Sequence, residues 1–108
     1  MRLTAHCRLG NRFLREPVAN LSLGGLFLKT RERTREGTPI RVALALPYGD
    51  GPRFCTLAGT VVRVERDGKG LPSGIGVSFS KDPISTLDRL TLQRFVALRG
   101  GAVTDAAR

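Results

Sequence analysis

Ile40, Val42, Leu44 and Leu46 recur at every second position of "IRVALALP", residues 40 to 47, and predict the clearest strand of the chain. Ile75, Val77 and Phe79 in "GIGVSF" repeat the pattern. "RLTAHCRL", residues 2 to 9, reads as a first strand, and "FCTLAGTVVRVER", residues 54 to 66, as a long β-branched one. Gly59 inside that run marks a bulge or a close approach of backbones. Residues 18 to 21 and 25 to 29 read as two short apolar strands broken by a turn over Ser22 to Gly25. Gly and Pro place connections at 10 to 17, 31 to 39, 48 to 52 and 67 to 74, the first a loop or a hairpin. After Lys81 the period changes. Asp82 suits an N-cap and Pro83 the first helical position. Ile84, Leu87, Phe95 and Leu98 then mark one helical face, with Leu90 near it, and Gly100 a stop. "GGAVTDAAR" has no period, so residues 100 to 108 are expected to be a flexible tail. Five or six short strands and one helix predict a sandwich or barrel, with the helix across an open end or seam.

A length of 108 residues, 41% hydrophobic and 25% charged, fits one globular domain, expected over residues 1 to 99. No apolar run nears the ~18 residues of a membrane helix. "MRLTAHCRLG" does not read as a secretory signal, which makes the cytoplasm the expected location. Cys7 and Cys55 are too far apart for a CxxC motif and read as reduced core residues. His6 has no nearby second histidine or carboxylate, so metal ligation and general-base roles have little support. No nucleophile–base arrangement, metal-ligand spacing or phosphate loop is visible, so neither an enzyme, a metal nor a cofactor is expected.

Charge changes the picture more. The net charge is +9, and residues 1 to 41 contribute +6 of it, from nine basic groups and three acids. Nearly all the basic residues are arginine, whose planar fork suits phosphate and guanine edges. This points to an anionic partner. A nucleic-acid binder is the weaker form of that reading: there is no helix-turn-helix pattern and no strand set of stacking aromatics.

"VANLSLGGLFLKT" holds the candidate chemistry. Asn20 and Ser22 share one side of an extended chain, with Leu21 and Leu23 on the other. Two roles compete for the polar pair: contact with a ligand, or hydrogen bonds to local backbone that shape the turn. Gly24 and Gly25 supply either positive φ or a close backbone approach.

"NLSLGG" with "LFLKT", then "GTPIRVALALP", "AGTVVRV", "GIGVSF" and a terminal helix together resemble the bacterial PilZ domain over residues 2 to 98. The resemblance implies a six-stranded antiparallel β-barrel with a C-terminal α-helix. It also implies a ligand, cyclic di-GMP, and a receptor that relays its level to a protein partner in motility, secretion or signalling. The family's (D/N)xSxxG motif maps onto Asn20, Ser22 and Gly25, with Gly24 beside it. Its RxxxR clamp lies just ahead of the first strand, where Arg2 takes the place of the second arginine. "RLGNR" also spells RxxxR at Arg8 and Arg12, only eight residues before Asn20; these two, with Arg15, are the alternative clamp. Arg63 stands where family members carry an aromatic or basic residue near the ligand. The incomplete clamp favours a second reading, an adaptor that has lost the nucleotide and works by protein contact alone.

Overall fold

The computed structural model describes residues 3–48, 51–80 and 86–104. Their order is β1 (Leu3–Leu9), β2 (Arg12–Ser22), β3 (Gly25–Leu28), β4 (Pro39–Tyr48), β5 (Gly51–Arg66), β6 (Pro72–Phe79), α1 (Thr86–Leu98) and β7 (Ala102–Thr104).

All pairings are antiparallel. The sheet runs β1-β4-β5-β6-β3-β2, and β1 also pairs with β2, which closes six strands into a barrel. Alternation is the cause: Leu3, Ala5, Cys7 and Leu9 of β1 and Ile40, Val42, Leu44 and Leu46 of β4 are buried, while their neighbours face out. Closure leaves no long free edge, a hazard that open sheets must manage.

The connection at residues 10 to 17 is a hairpin. Leu9 pairs with Arg12 around Gly10 and Asn11, and Gly10 has φ 60°. A glycine at positive φ in the first central position is the signature of a type II′ turn. β2 therefore begins six residues earlier than Val18 and includes Pro17, which faces Thr4 of β1. The loop at 31–36 and the turn at 67–71 fall where expected, although β6 starts at Pro72 and β5 at Gly51. Gly59 is a close-approach glycine: a Cβ there would sit 2.7 Å from the Ser78 carbonyl oxygen, and the bulge lies further on, between Val61 and Arg63.

The helix corrects one expectation. Its buried face is Leu92, Phe95 and Val96, spaced i, i+3, i+4, whereas Leu87 and Leu98 are each 71% exposed and Leu90 is also exposed. Of the predicted face only Phe95 points inward; Asp82, Pro83 and Ile84 lie outside the described residues. The helix packs on β5 and β7. It stops as expected: Gly100 and Gly101 have φ 82° and 98°, and the Gly101 N–H donates to the Val96 carbonyl at 2.9 Å. The chain then turns back, so the expected tail is partly a strand. Ala102, Val103 and Thr104 pair with Ser22, Leu21 and Asn20. Val103, 6% exposed, enters the core, and the hydrogen bonds to β2 hold a strand too short to show a period in sequence.

Cys7 and Cys55 are free and buried. Burial, with a smaller push from Glu16, raises the Cys7 thiol to about 12; burial, with Asp88, raises Cys55 to about 11. An ionised thiol is thus favoured by the unfolded chain, where the value is 9.0. Unfolding then releases protons from the thiols above about pH 9, so their contribution to stability does not change below that pH and becomes unfavourable as pH rises from there toward the folded values. We expect a thiol-reactive dye to label neither cysteine of the folded protein at pH 8, and to label both in urea. Rapid labelling without urea would contradict the buried placement.

Candidate functional site

β2, β3, β6 and β5 lie side by side, and their registers place four residues in one row. Asn20 pairs with Phe27, Phe27 with Gly76, and Gly76 with Arg63. Two bulges set this row: one between Val18 and Asn20 in β2, one between Val61 and Arg63 in β5. The second sends Val61 into the core and turns both Val62 and Arg63 outward.

The middle of the row is a platform. Gly74 and Gly76 leave the outer side of β6 bare. A Cβ on Gly74 would strike the Phe27 ring, and one on Gly76 would come within 3.3 Å of Arg63 Cβ. Because both are glycine, the Phe27 ring lies down on β6 and the Arg63 guanidinium lies over that ring, 5.1 Å from its centroid. Arg63 Nε also meets Glu65 Oε2 at 3.2 Å, which orients the guanidinium. That pair is solvent-exposed and adds at most about 1 kcal/mol.

The polar end of the row separates the two roles left open for Asn20 and Ser22. The Ser22 hydroxyl donates to the Gly25 carbonyl at 3.4 Å, a long bond that spans the turn. Asn20 is exposed, and its amide has no hydrogen-bond partner among the described residues. Ser22 helps to shape the turn; Asn20 presents one acceptor and two donors to solvent.

The glycines also divide. Neither Gly24 nor Gly25 has positive φ, so the turn does not depend on left-handed backbone at either position. Gly25 is held by a close approach: a Cβ would collide with the Val77 carbonyl of β6. Gly24 has open space around it, and its carbonyl accepts the Phe79 N–H at 2.8 Å.

Asn20, Ser22, Gly25, Phe27, Arg63 and Gly76 together line one depression of about 440 Å³, in the range of small-ligand sites. Gly24 borders it in sequence without lining it. Arg8 and Arg12 belong elsewhere. They flank the β1–β2 hairpin, and Arg12 stands eight residues from Asn20, roughly 26 Å along β2. Arg12 is ion-paired to Glu32 and donates to the Arg33 carbonyl at 3.2 Å. Arg8 donates to the Gly10 carbonyl at 3.1 Å. Arg2 lies outside the described residues. Leu3 pairs with Val18, so the chain enters β1 at the Asn20 end of β2 and away from Arg12.

Phe27 and Gly76 are residues of the candidate site that sequence reading missed. Both sit in the quoted motifs, but only strand register shows that they share a row with Asn20 and Arg63.

No protein of curated function matches the chain by sequence. Solved structures similar in fold include two that each cover more than nine-tenths of this chain. The Bacillus subtilis inhibitor of motility MotI/DgrA superposes with a TM-score of 0.76 at 19% identity, over 92% of this chain and 47% of that one. This chain thus spans about half the length of MotI. The PilZ domain of Escherichia coli YcgR with cyclic di-GMP superposes with a TM-score of 0.66 at 20% identity, over 91% of this chain and 82% of that one. The family model of the PilZ domain matches residues 1–98, and the closed barrel with its C-terminal helix agrees with it: the chain belongs to the PilZ domain family.

Proposed function

We propose that this protein is a cyclic di-GMP receptor that acts as an adaptor. The observation that carries the reading is the Asn20–Phe27–Gly76–Arg63 row, with a free amide at one end and a stacked guanidinium at the other. One guanine would lie over Arg63, and the Asn20 amide would bond its edge. The nucleotide that the YcgR structure contains supports the same ligand class here. The two phosphates of a cyclic dinucleotide suit a chain of net charge +9. Arg2 fits the clamp better than Arg8 or Arg12, because β1 is entered beside Asn20.

No helix among the described residues is long and apolar enough to cross a membrane. Binding rather than catalysis is the proposed role, in keeping with the PilZ family to which the chain belongs. The loaded protein would act in the cytoplasm by docking to a protein partner. MotI, an inhibitor of motility, makes the motility apparatus the first place to look for one.

Isothermal titration with cyclic di-GMP at moderate salt tests the reading. A saturable isotherm is expected; no heat at high micromolar ligand would overturn it. The adaptor without nucleotide rests on a separate observation, that Arg63 is the one arginine lining the depression among the described residues. Partner binding unaffected by cyclic di-GMP would select it. Within the receptor reading, Arg63→Ala removes the stacking plane and is expected to weaken binding roughly tenfold. The pair it loses with Glu65 is exposed, so its urea midpoint should stay close to that of the unaltered protein.

A further inference from the structure

The run "RERTRE", residues 31 to 36, takes no part in the row. It leaves β3, passes the β5–β6 hairpin and docks on β5 before entering β4: the Gly37 N–H donates to the Val61 carbonyl at 2.7 Å and the Val61 N–H to the Thr38 carbonyl at 2.9 Å. Exposure alternates along it. Arg31, Arg33 and Arg35 are exposed, while Glu32 and Thr34 are half-buried. Beside the hairpin this leaves a cavity of about 320 Å³, lined by Arg33, Thr34, Arg35, Arg66 and Pro72.

Two independent features distinguish that cavity. The first is charge. Three arginines line it and no carboxylate does. Of the nearby acids, Glu32 pairs with Arg12, Asp67 accepts the Lys69 and Leu71 N–H groups at 2.8 and 3.0 Å and faces Arg31 at 3.7 Å, and the exposed Glu36 does not line the cavity. Arg33, Arg35 and Arg66 form no ion pair among the described residues, and Arg66 is held toward the hairpin by a 3.2 Å bond to the Gly70 carbonyl. The second feature is Thr34, whose hydroxyl is the one buried side-chain polar atom without a partner among the described residues. A buried hydroxyl left unbonded is costly, so a partner from outside the chain is favoured.

We infer that this cavity is a phosphate-binding site, distinct from the dinucleotide row, for the phosphate group of a small soluble anion. Guanidinium groups from two segments would grip the phosphate oxygens bidentately, and the Thr34 hydroxyl would complete the shell. The loop is held through its own carbonyls, which changes to the Arg33 and Arg35 side chains leave in place: the Arg33 carbonyl accepts from the Arg12 guanidinium and the Arg35 carbonyl from the Thr38 hydroxyl. The site is therefore largely prebuilt. Arg66 is three residues from Arg63, roughly 10 Å along β5.

The test is an amide NMR titration of the whole chain with inorganic phosphate at constant ionic strength, repeated with GMP. Saturable shifts confined to residues 33–36, 66, 70 and 71 are expected with either probe. The double variant Arg33→Ala/Arg35→Ala should weaken binding tenfold or more, and Thr34→Val by a smaller factor, with urea midpoints unchanged for the arginine variant. Asn20→Ala should leave phosphate binding as it was, so failure of the dinucleotide site and failure of this one are separable. Stronger shifts with GMP than with phosphate would assign the anion to a nucleotide. Linear, unsaturating shifts spread over Arg8, Arg15 and Arg41, or an arginine double variant that binds as before, would overturn the proposal.

Discussion

Gly25→Ala should lower stability by about 3 kcal/mol, while Gly24→Ala, one residue away in the same motif, should change it by less than about 0.5 kcal/mol. The difference is steric. An added Cβ on Gly25 meets the Val77 carbonyl, backbone of the strand beside it, with Ser78 Cα 3.3 Å away. Those atoms cannot turn aside as a side chain would, so β3 and β6 must part, and Phe27 with them. At Gly24 nothing lies within 4 Å, and φ is not positive. Urea unfolding of the two variants measures this directly. Equal losses would mean that the doubled glycine serves the turn as a unit, and a loss of binding without a loss of stability in Gly25→Ala would mean that it serves the ligand.

This pair shows why a motif match is not yet a site. In sequence, "NLSLGG" offers four polar or small residues of apparently one kind. In the fold they do four different things. Asn20 has no hydrogen-bond partner among the described residues, Ser22 spans the turn, Gly24 receives a hydrogen bond from Phe79, and Gly25 lets two strands close up.

The barrel was legible where alternation is strong. Residues 40 to 46 and 75 to 79 show their buried faces directly, and the turn signals at Gly10, Gly37 and Gly70 fall between strands. Other parts were hidden for physical reasons. The first half of β2, "RFLREP", mixes polar and apolar residues on both sides, with Phe13 and Arg15 exposed and Leu14 and Glu16 half-buried, and carries a proline, so its strand character comes from pairing with β1 rather than from its own pattern. The helix has apolar residues on more than one face, and Leu87 and Leu98 cannot be told from Leu92 and Val96 until β5 and β7 choose a side. β7 exists because β2 has an edge to offer beyond the end of β1. The platform depends on two bulges, each shifting register by a residue, and no single-strand pattern encodes which residues become neighbours across it.

Asn20→Ala should reduce cyclic di-GMP binding at least tenfold with little change in stability. The residue is exposed and its amide bonds nothing within the described protein, so the folded state loses no interaction, whereas the ligand loses its hydrogen-bonding edge. Asn20→Asp should act in the opposite sense. A carboxylate offers two acceptors to the paired N–H groups of a guanine edge, and charge-assisted bonds are about twice as strong as neutral ones. Tighter binding by Asn20→Asp and weaker binding by Asn20→Ala, both read by isothermal titration, would place the base at this residue. Ser22→Ala provides the comparison: its hydroxyl is engaged with Gly25, so its cost should fall on the urea midpoint as well as on affinity.

The most direct test of the central claim, that the outer row of β2, β3, β6 and β5 is the nucleotide site, is an amide NMR titration with cyclic di-GMP. Saturable shifts centred on Asn20, Ser22, Phe27, Arg63 and Gly76 are expected, with Thr104 of β7 affected through its pairing with Asn20. Shifts centred instead on Arg8 and Arg12 at the far hairpin, or no shifts at saturating nucleotide, would contradict that claim.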